Sequence, residues 1–138
     1  MYLLDTNICI YAMKNTFPDL SRKMMQVPPS EIVISSITVG ELEYGNSKSR
    51  WSEQTRAVCN FFLAAYSILP FDQDDAVAFG QLRARLAAAG TPIGPFDTLI
   101  AAQALSRNLT VVTHNTSEFQ RVPGLLLEDW TNGIPPAH

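Results

Sequence analysis

The chain alternates short apolar runs with longer stretches of helical spacing. Tyr2 to Leu4 is a run that ends at Asp5, too short for a helix and readable as a buried strand. The β-branched run "EIVISS" predicts a second strand from Ile32 to Ser35. "SILPF" predicts a brief third strand, "LTVVT" a strong fourth, and "LLLEDW" a last strand at a sheet edge. Between them the period becomes helical. Residues from about Ile8 to Met13 and around Leu20 to Met25 predict two short helices. Ser36 or Thr38 is placed to cap a helix carrying "VGELEYG", with Gly45 as its stop. Val58, Phe61, Phe62 and Ala65 recur at helical spacing, as do Phe79, Leu82 and Leu86 ahead of Gly90 and Pro92. "FDTLIAAQALSRN" is an Ala-rich helix anchored by Leu99, Ile100 and Leu105, and "TSEFQ" is a short one. Strands alternating with helices predict an α/β fold with a parallel sheet covered on both faces.

Composition narrows the class. A chain of 138 residues, 46% apolar and 17% charged, fits one folded domain with its own core. No apolar run reaches the ~18 residues a membrane span needs, and no secretory signal opens the chain. Cys9 and Cys59 lie far apart without metal-ligand spacing, and read as small buried hydrophobes in a reducing cytoplasm. The net charge of −3 argues against a general electrostatic nucleic-acid binder, while leaving room for a basic rim around an acidic centre. No repeat or interdomain linker divides residues 1–138, and the turn-rich residues 131–138 are expected to fray.

In parallel α/β sheets ligands bind beyond the carboxyl ends of the strands. Five polar residues fall at strand exits or early helix turns. Asp5 follows the first strand, Glu41 lies early in the helix after the second, and Asp97 opens the Ala-rich helix. Asn115 and Glu118 follow the fourth strand. Each has a plain structural role open to it. Asp5 is a favoured N-cap for the helix at Ile8. Glu41 reads as a solvated helical residue. Asp97 suits a positive helix N-terminus. Asn115 with Glu118 three residues on has the spacing of a capping box. Their joint placement favours a different role. Carboxylates drawn together repel and raise one another's pKa values, and a hard divalent cation such as Mg²⁺ neutralises such a cluster through oxygen ligands. Carboxylate-held metals perform phosphoryl chemistry.

Other chemistries fail on inventory. There is no G-x-x-x-x-G-K phosphate loop, no G-x-G-x-x-G after the first strand and no G-x-S-x-G elbow. His114 and His138 are isolated histidines, read as exposed polar groups. Asp5 as a phosphoryl-accepting nucleophile calls for a second acid two residues on, where Asn7 stands.

The ordered set D-T-N at Asp5, S-x-I-T-x-x-E-L ending around Glu41, G-P-x-D-x-x-I-A around Asp97 and V-T-x-N-x-x-E-F around Asn115 is specific. With it, the chain resembles the PIN-domain toxins of the VapC type from bacterial type II toxin–antitoxin modules, over nearly its whole length. The resemblance implies an α/β/α sandwich on a short, mainly parallel sheet. It also implies endoribonuclease activity dependent on Mg²⁺ or Mn²⁺. Asp5, Glu41 and Asp97 match the family's acidic triad. Thr6 and Asn7 match the polar residues that support the first acid, and Thr113 the hydroxyl near the fourth position. Asn115 departs from the Asp that many PIN domains carry there, so Glu118 becomes the candidate for the missing charge. Asp5 and Asp97 are the expected metal ligands, and Glu41 the residue that ligates or orients the attacking water.

The enteric VapC subgroup, whose activity is directed at initiator tRNA in the anticodon loop, is the nearest likeness. Lys48, Arg50, Arg83, Arg85, Arg107 and Arg121 are candidate rim cations for RNA phosphates. A cognate VapB antitoxin is the implied partner. Its C-terminal segment would lie in a groove for which Tyr11, Met13, Phe17, Met24 and Met25 are candidates, and would push a basic side chain toward the acids. The resemblance also implies a homodimer. Two alternatives remain: a non-catalytic module that binds RNA or an antitoxin without cutting, and a phosphatase acting on free nucleotides.

Overall fold

The structure, a computed structural model, describes residues 1–132. Five short strands form one sheet: β1 (Tyr2–Leu4), β2 (Ile32–Ser35), β3 (Ser67–Leu69), β4 (Thr110–Val112) and β5 (Leu126–Glu128). Seven helices connect and follow them: α1 (Thr6–Lys14), α2 (Pro18–Gln26), α3 (Ser36–Lys48), α4 (Ser52–Leu63), α5 (Gln73–Ala88), α6 (Pro95–Arg107) and α7 (Thr116–Phe119). The strand order is β3-β2-β1-β4-β5 and every pairing is parallel. All five expected strands are present, with β3 as well as β5 at an edge.

Strand alternation sorts the core into two layers. Leu3, Val33 and Val111 point to the face covered by α5 and α6, where Leu82, Leu86, Ile100 and Phe119 pack. Leu4, Ile32, Ile34 and Val112 point to the other face, with Ile8, Leu20, Leu42 and Cys59 from α1 to α4. Side chains of adjacent strand residues project to opposite faces, so three residues of β1 suffice to serve both layers. This is the expected α/β/α sandwich. The chain reverses its direction of travel across the sheet at β1, where β4 inserts beside it. The switch point of the topology therefore lies between the carboxyl ends of β1 and β4.

Several local expectations are corrected. The cap of α3 is Ser35, whose Oγ accepts from the Ile37 N–H (3.1 Å), rather than Ser36 or Thr38. Ser36 Oγ instead accepts from the Phe71 N–H (3.0 Å). Gly45 does not stop the helix, which runs on to Lys48. In α4, Val58 and Phe61 face solvent and Ala65 lies beyond the helix. Thr131, in the segment expected to fray, is buried; residues 133–138, with His138, lie outside the described residues.

Arg107 leaves the list of rim cations. It is tied to Asp72 (2.6 Å) and to the fully buried Asp75 (3.2 Å), which also accepts from Gln103 Nε2 (3.2 Å). Burial pushes the Asp75 carboxyl up, but Arg107, the Asp72 N–H and neighbouring side chains together hold it below its ordinary value. This network joins α5 to α6 and has no part in the acidic cluster. Arg107→Ala strands a buried carboxylate. It is expected to lower stability by roughly 2 kcal/mol, short of the full cost of breaking a buried pair because Arg107 is partly exposed. Thermal melting checks this.

Candidate active site

The polar residues picked out by sequence converge at the switch point. Asp5 leaves the end of β1 and is 4% exposed. Its backbone N–H pairs with Val112 O of β4 (3.0 Å), which fixes its height in the sheet. Its Oδ1 accepts from the Ile8 N–H (2.8 Å), so Asp5 does cap α1. The structural role and the site role coexist, because a carboxylate has a second oxygen and further lone pairs free. The Thr113 side chain, at the exit of β4, lies beside the same carboxyl and favours its charged form. Burial raises the Asp5 pKa, and Glu41 raises it further, against the opposing pull of Thr113 and the Ile8 N–H.

Glu41 is half-buried and oriented. Thr6 Oγ1 donates to its Oε1 (2.6 Å) and lies 3.1 Å from Thr38 Oγ1. Thr6 thus supports Glu41 rather than Asp5. Asn7, expected as a second support, is exposed and makes none of the described side-chain bonds to the cluster.

Asp97 occupies the first turn of α6, after Gly94 and Pro95. Its pKa is pushed up to about 6, chiefly by burial, then by the charges of Glu118, Asp5 and Glu41. The carboxyls of Asp97 and Glu118 are neighbours: a Cβ on Gly94 would lie 3.6 Å from Glu118 Oε1 and 3.9 Å from Asp97 Oδ2.

Asn115 and Glu118 do not form the capping box. The Asn115 side chain caps nothing in α7; its Nδ2 donates to Glu118 Oε2 (2.6 Å). Glu118 Oε1 accepts from the Gly94 N–H (2.7 Å) at the mouth of α6. Both Glu118 oxygens are engaged, so this acid adds its charge beside Asp97 from a fixed position. Thr113 Oγ1 accepts from the Asn115 N–H (2.9 Å), which links this pair to the Asp5 support.

Asp97 thus feels the charges of Asp5, Glu41 and Glu118, and none of the four carboxylates forms a salt bridge among the described residues. Like charges at this density favour protonation or a cation. The donor set is all oxygen, which suits a hard divalent ion. Among the described residues no three acidic, His or Cys side chains gather tightly enough to hold an ion by themselves. An ion here would take two of the acids, Asp5 and Asp97, and a shell of water, the manner in which Mg²⁺ is commonly held.

His114 is exposed, as expected, but it is not isolated. Its Nδ1 lies 2.7 Å from Thr131 Oγ1 and 3.3 Å from Asp129 Oδ2. Its ring packs against Tyr11 and Phe17. The one available sequence signal was its position between Thr113 and Asn115 at the exit of β4. Tyr11 and Phe17, expected in a partner groove, serve this aromatic cluster. An apolar groove of about 530 Å³ lies instead between α1, α3 and α4, lined by Ile10, Met13, Leu42, Gly45, Val58 and Cys59 among others, and Glu41 also borders it. Met24 and Met25 do not line it.

The PIN domain family pattern matches residues 2–125. A tRNA(fMet)-specific endonuclease VapC of Salmonella typhimurium is 46% identical over 129 residues, covering 94% of this chain and 97% of that protein. Ribonuclease VapC2 of Rickettsia felis is 42% identical over 132 residues, covering 94% and 98%. The crystal structure of VapBC2 from Rickettsia felis, bound to a DNA fragment of its promoter, superposes with a TM-score of 0.88 at 38% identity, covering 94% of this chain and 98% of that one.

Proposed function

The chain belongs to the PIN-domain family, among its VapC toxins, and from that premise we propose that it is a divalent-metal-dependent endoribonuclease that cuts tRNA and is silenced by a VapB antitoxin. The observation that carries the metal-dependent reading is the convergence of Asp5, Glu41, Asp97 and Glu118 without a counter-cation at the switch point. A purely binding site has no use for such repulsion.

Asp5 and Asp97 are the residues that would hold Mg²⁺ or Mn²⁺. When bound, the cation polarises a phosphoryl oxygen and makes water a stronger acid. Thr113 and the Ile8 N–H keep the Asp5 carboxylate in one orientation. Glu41, steadied through Oε1 by Thr6, turns Oε2 to the attacking water and takes its proton. Water adds to phosphorus, the P–O3′ bond breaks, and the leaving O3′ takes a proton from solvent, so that the products are a 5′-phosphate and a 3′-hydroxyl. Glu118, anchored by Asn115 and Gly94, adds negative charge beside Asp97 and strengthens its hold on a cation.

The substrate follows the Salmonella relative, which is specific for initiator tRNA. A single-stranded anticodon loop suits a recessed acidic centre, because its bases unstack at little expense. Arg121 stands at the lip, its Nη1 donating to Pro92 O (2.9 Å) on the loop that carries Gly94. Incubation of initiator and elongator methionine tRNA with the protein tests the choice. Preferential cutting of the initiator in its anticodon loop is expected; equal cutting of both would move the target elsewhere.

The apolar groove that reaches Glu41 is the seat of the antitoxin, from which an Arg or Lys enters the carboxylate cluster. Gly45 tests this cleanly. A Cβ at Gly45 meets nothing within 4 Å, so a side chain there projects into open space. Gly45→Leu is expected to stabilise α3 by about 0.5–1 kcal/mol. It should weaken antitoxin binding at least about tenfold while cleavage persists. Calorimetric titration with the antitoxin, beside a cleavage assay, reads both effects.

A further inference from the structure

The hydrogen bonds around His114 define its tautomer. Thr131 Oγ1 has one hydrogen, and its 2.6 Å contact with Asp129 Oδ1 uses it, since an ionised carboxylate only accepts. The 2.7 Å contact between Thr131 Oγ1 and His114 Nδ1 must then carry the imidazole's hydrogen. Asp129 Oδ2, 3.3 Å from the same nitrogen, draws that hydrogen further. A second bond, from the Thr131 N–H to Asp129 Oδ1 (2.8 Å), keeps the carboxylate from swinging away. In its neutral form the ring therefore bears hydrogen on Nδ1 and a lone pair on Nε2.

The ring is also fixed in angle. Tyr11 meets it edge-on, with centroids 6.2 Å apart, and Phe17 lies tilted at 5.2 Å. Yet the side chain remains 50% exposed. It lies between Thr113, whose Oγ1 accepts from the Asn115 N–H (2.9 Å), and Asn115, whose Nδ2 holds Glu118 (2.6 Å), so the segment that carries it also lines the acidic cluster. An oriented, half-exposed imidazole beside the proposed cleavage centre has more support than a solvated surface histidine needs.

We propose that His114 is a substrate-positioning residue whose Nε2 accepts a hydrogen bond from a ribose 2′-hydroxyl flanking the bond to be cut, which makes the site select RNA over DNA. This rests on the endoribonuclease reading above. The chemistry is selective because phosphate and ring oxygens of a nucleic-acid backbone only accept. The 2′-hydroxyl is the backbone's donor, and DNA lacks it.

The test is a cycle of two changes. Wild type, His114→Ala and His114→Gln are assayed on a stem-loop RNA, and on the same RNA with a single 2′-deoxy substitution on each side of the cut in turn. In wild type, one of the two substitutions is expected to lower kcat/KM about tenfold, the size of one neutral hydrogen bond. His114→Ala should lose about the same on the all-ribose RNA and nothing further on the deoxy version. His114→Gln, which carries an acceptor near the Nε2 position, should recover part of both. Thr131→Val, which removes the partner of Nδ1, should fall between wild type and His114→Ala, and this arm serves if His114→Ala melts early. An undiminished deoxy penalty in His114→Ala, or none in wild type, overturns the proposal. Failure of wild type to cut any RNA, with metal present, would instead overturn the endoribonuclease reading on which it stands.

Discussion

Asp97→Asn is expected to abolish RNA cleavage, by at least about a hundredfold, and at the same time to make the metal-free protein more stable. The two effects have one cause. Asp97 sits partly buried, facing Glu118, Asp5 and Glu41, and its pKa of about 6 records how unfavourable its charge is there. An amide of the same shape relieves that repulsion and removes a ligand oxygen's charge. Because the carboxyl is only half-buried, solvent screens much of the repulsion, and the gain is roughly 1 kcal/mol, a rise of about 3 °C in Tm. The pH dependence has a definite sign. The folded state keeps the Asp97 proton up to about pH 6, whereas the unfolded chain releases it near its ordinary value of 3.8. Across that window the native state binds more protons, so metal-free stability declines as pH rises. Asp97→Asn should flatten that decline. Melting curves from pH 4 to 7, with a chelator present, measure it.

Asp5 separates its two roles through two substitutions. Asp5→Asn should be inactive yet close to wild type in stability, because Asn is as good an N-cap and its Oδ1 still accepts from the Ile8 N–H. Asp5→Ala should be equally inactive and should melt earlier. It leaves the Ile8 N–H without its acceptor, and removes the carboxyl beside the Thr113 hydroxyl, in a site that is 4% exposed. Loss of a cap costs about 1 kcal/mol, and a second buried group left unpaired adds a comparable amount. Relief of the buried charge offsets part of this, so a net loss of roughly 1–2 kcal/mol relative to Asp5→Asn is expected. Equal stability of the two variants would mean that the cap contributes nothing.

The strands and the main helices were legible because their signals are local. β1, β2 and β4 are short, strongly apolar and buried on both faces, the pattern of central parallel strands. The Ala-rich α6 announced both its ends, with Pro95 at its first position and Asn108 closing it in a left-handed conformation. The acids were legible because strand exits in an alternating α/β chain share one edge.

What sequence missed depended on distant partners. Asn115 and Glu118 have capping-box spacing, but the Gly94 N–H, 24 residues away, claims one Glu118 oxygen and Asn115 the other. Gly45 does not end α3, because Leu42 and Asn46 on either side of it are buried in one continuing helix. Val58 and Phe61 keep helical period without burial, so their stripe marked an open surface, Val58 on the groove wall, rather than a core face. His114 had no local signal for Asp129 and Thr131, which reach it only once β5 has paired beside β4.

The central claim is that the carboxylate cluster binds a divalent ion and cuts RNA with it. Cleavage of purified total tRNA tests it most directly, with Mg²⁺ or Mn²⁺, with a chelator, and beside Asp97→Asn. Discrete fragments that require the metal, vanish with the chelator and do not form with Asp97→Asn are the predicted result. Fragments that persist in the chelator, or that Asp97→Asn produces at the wild-type rate, would contradict it.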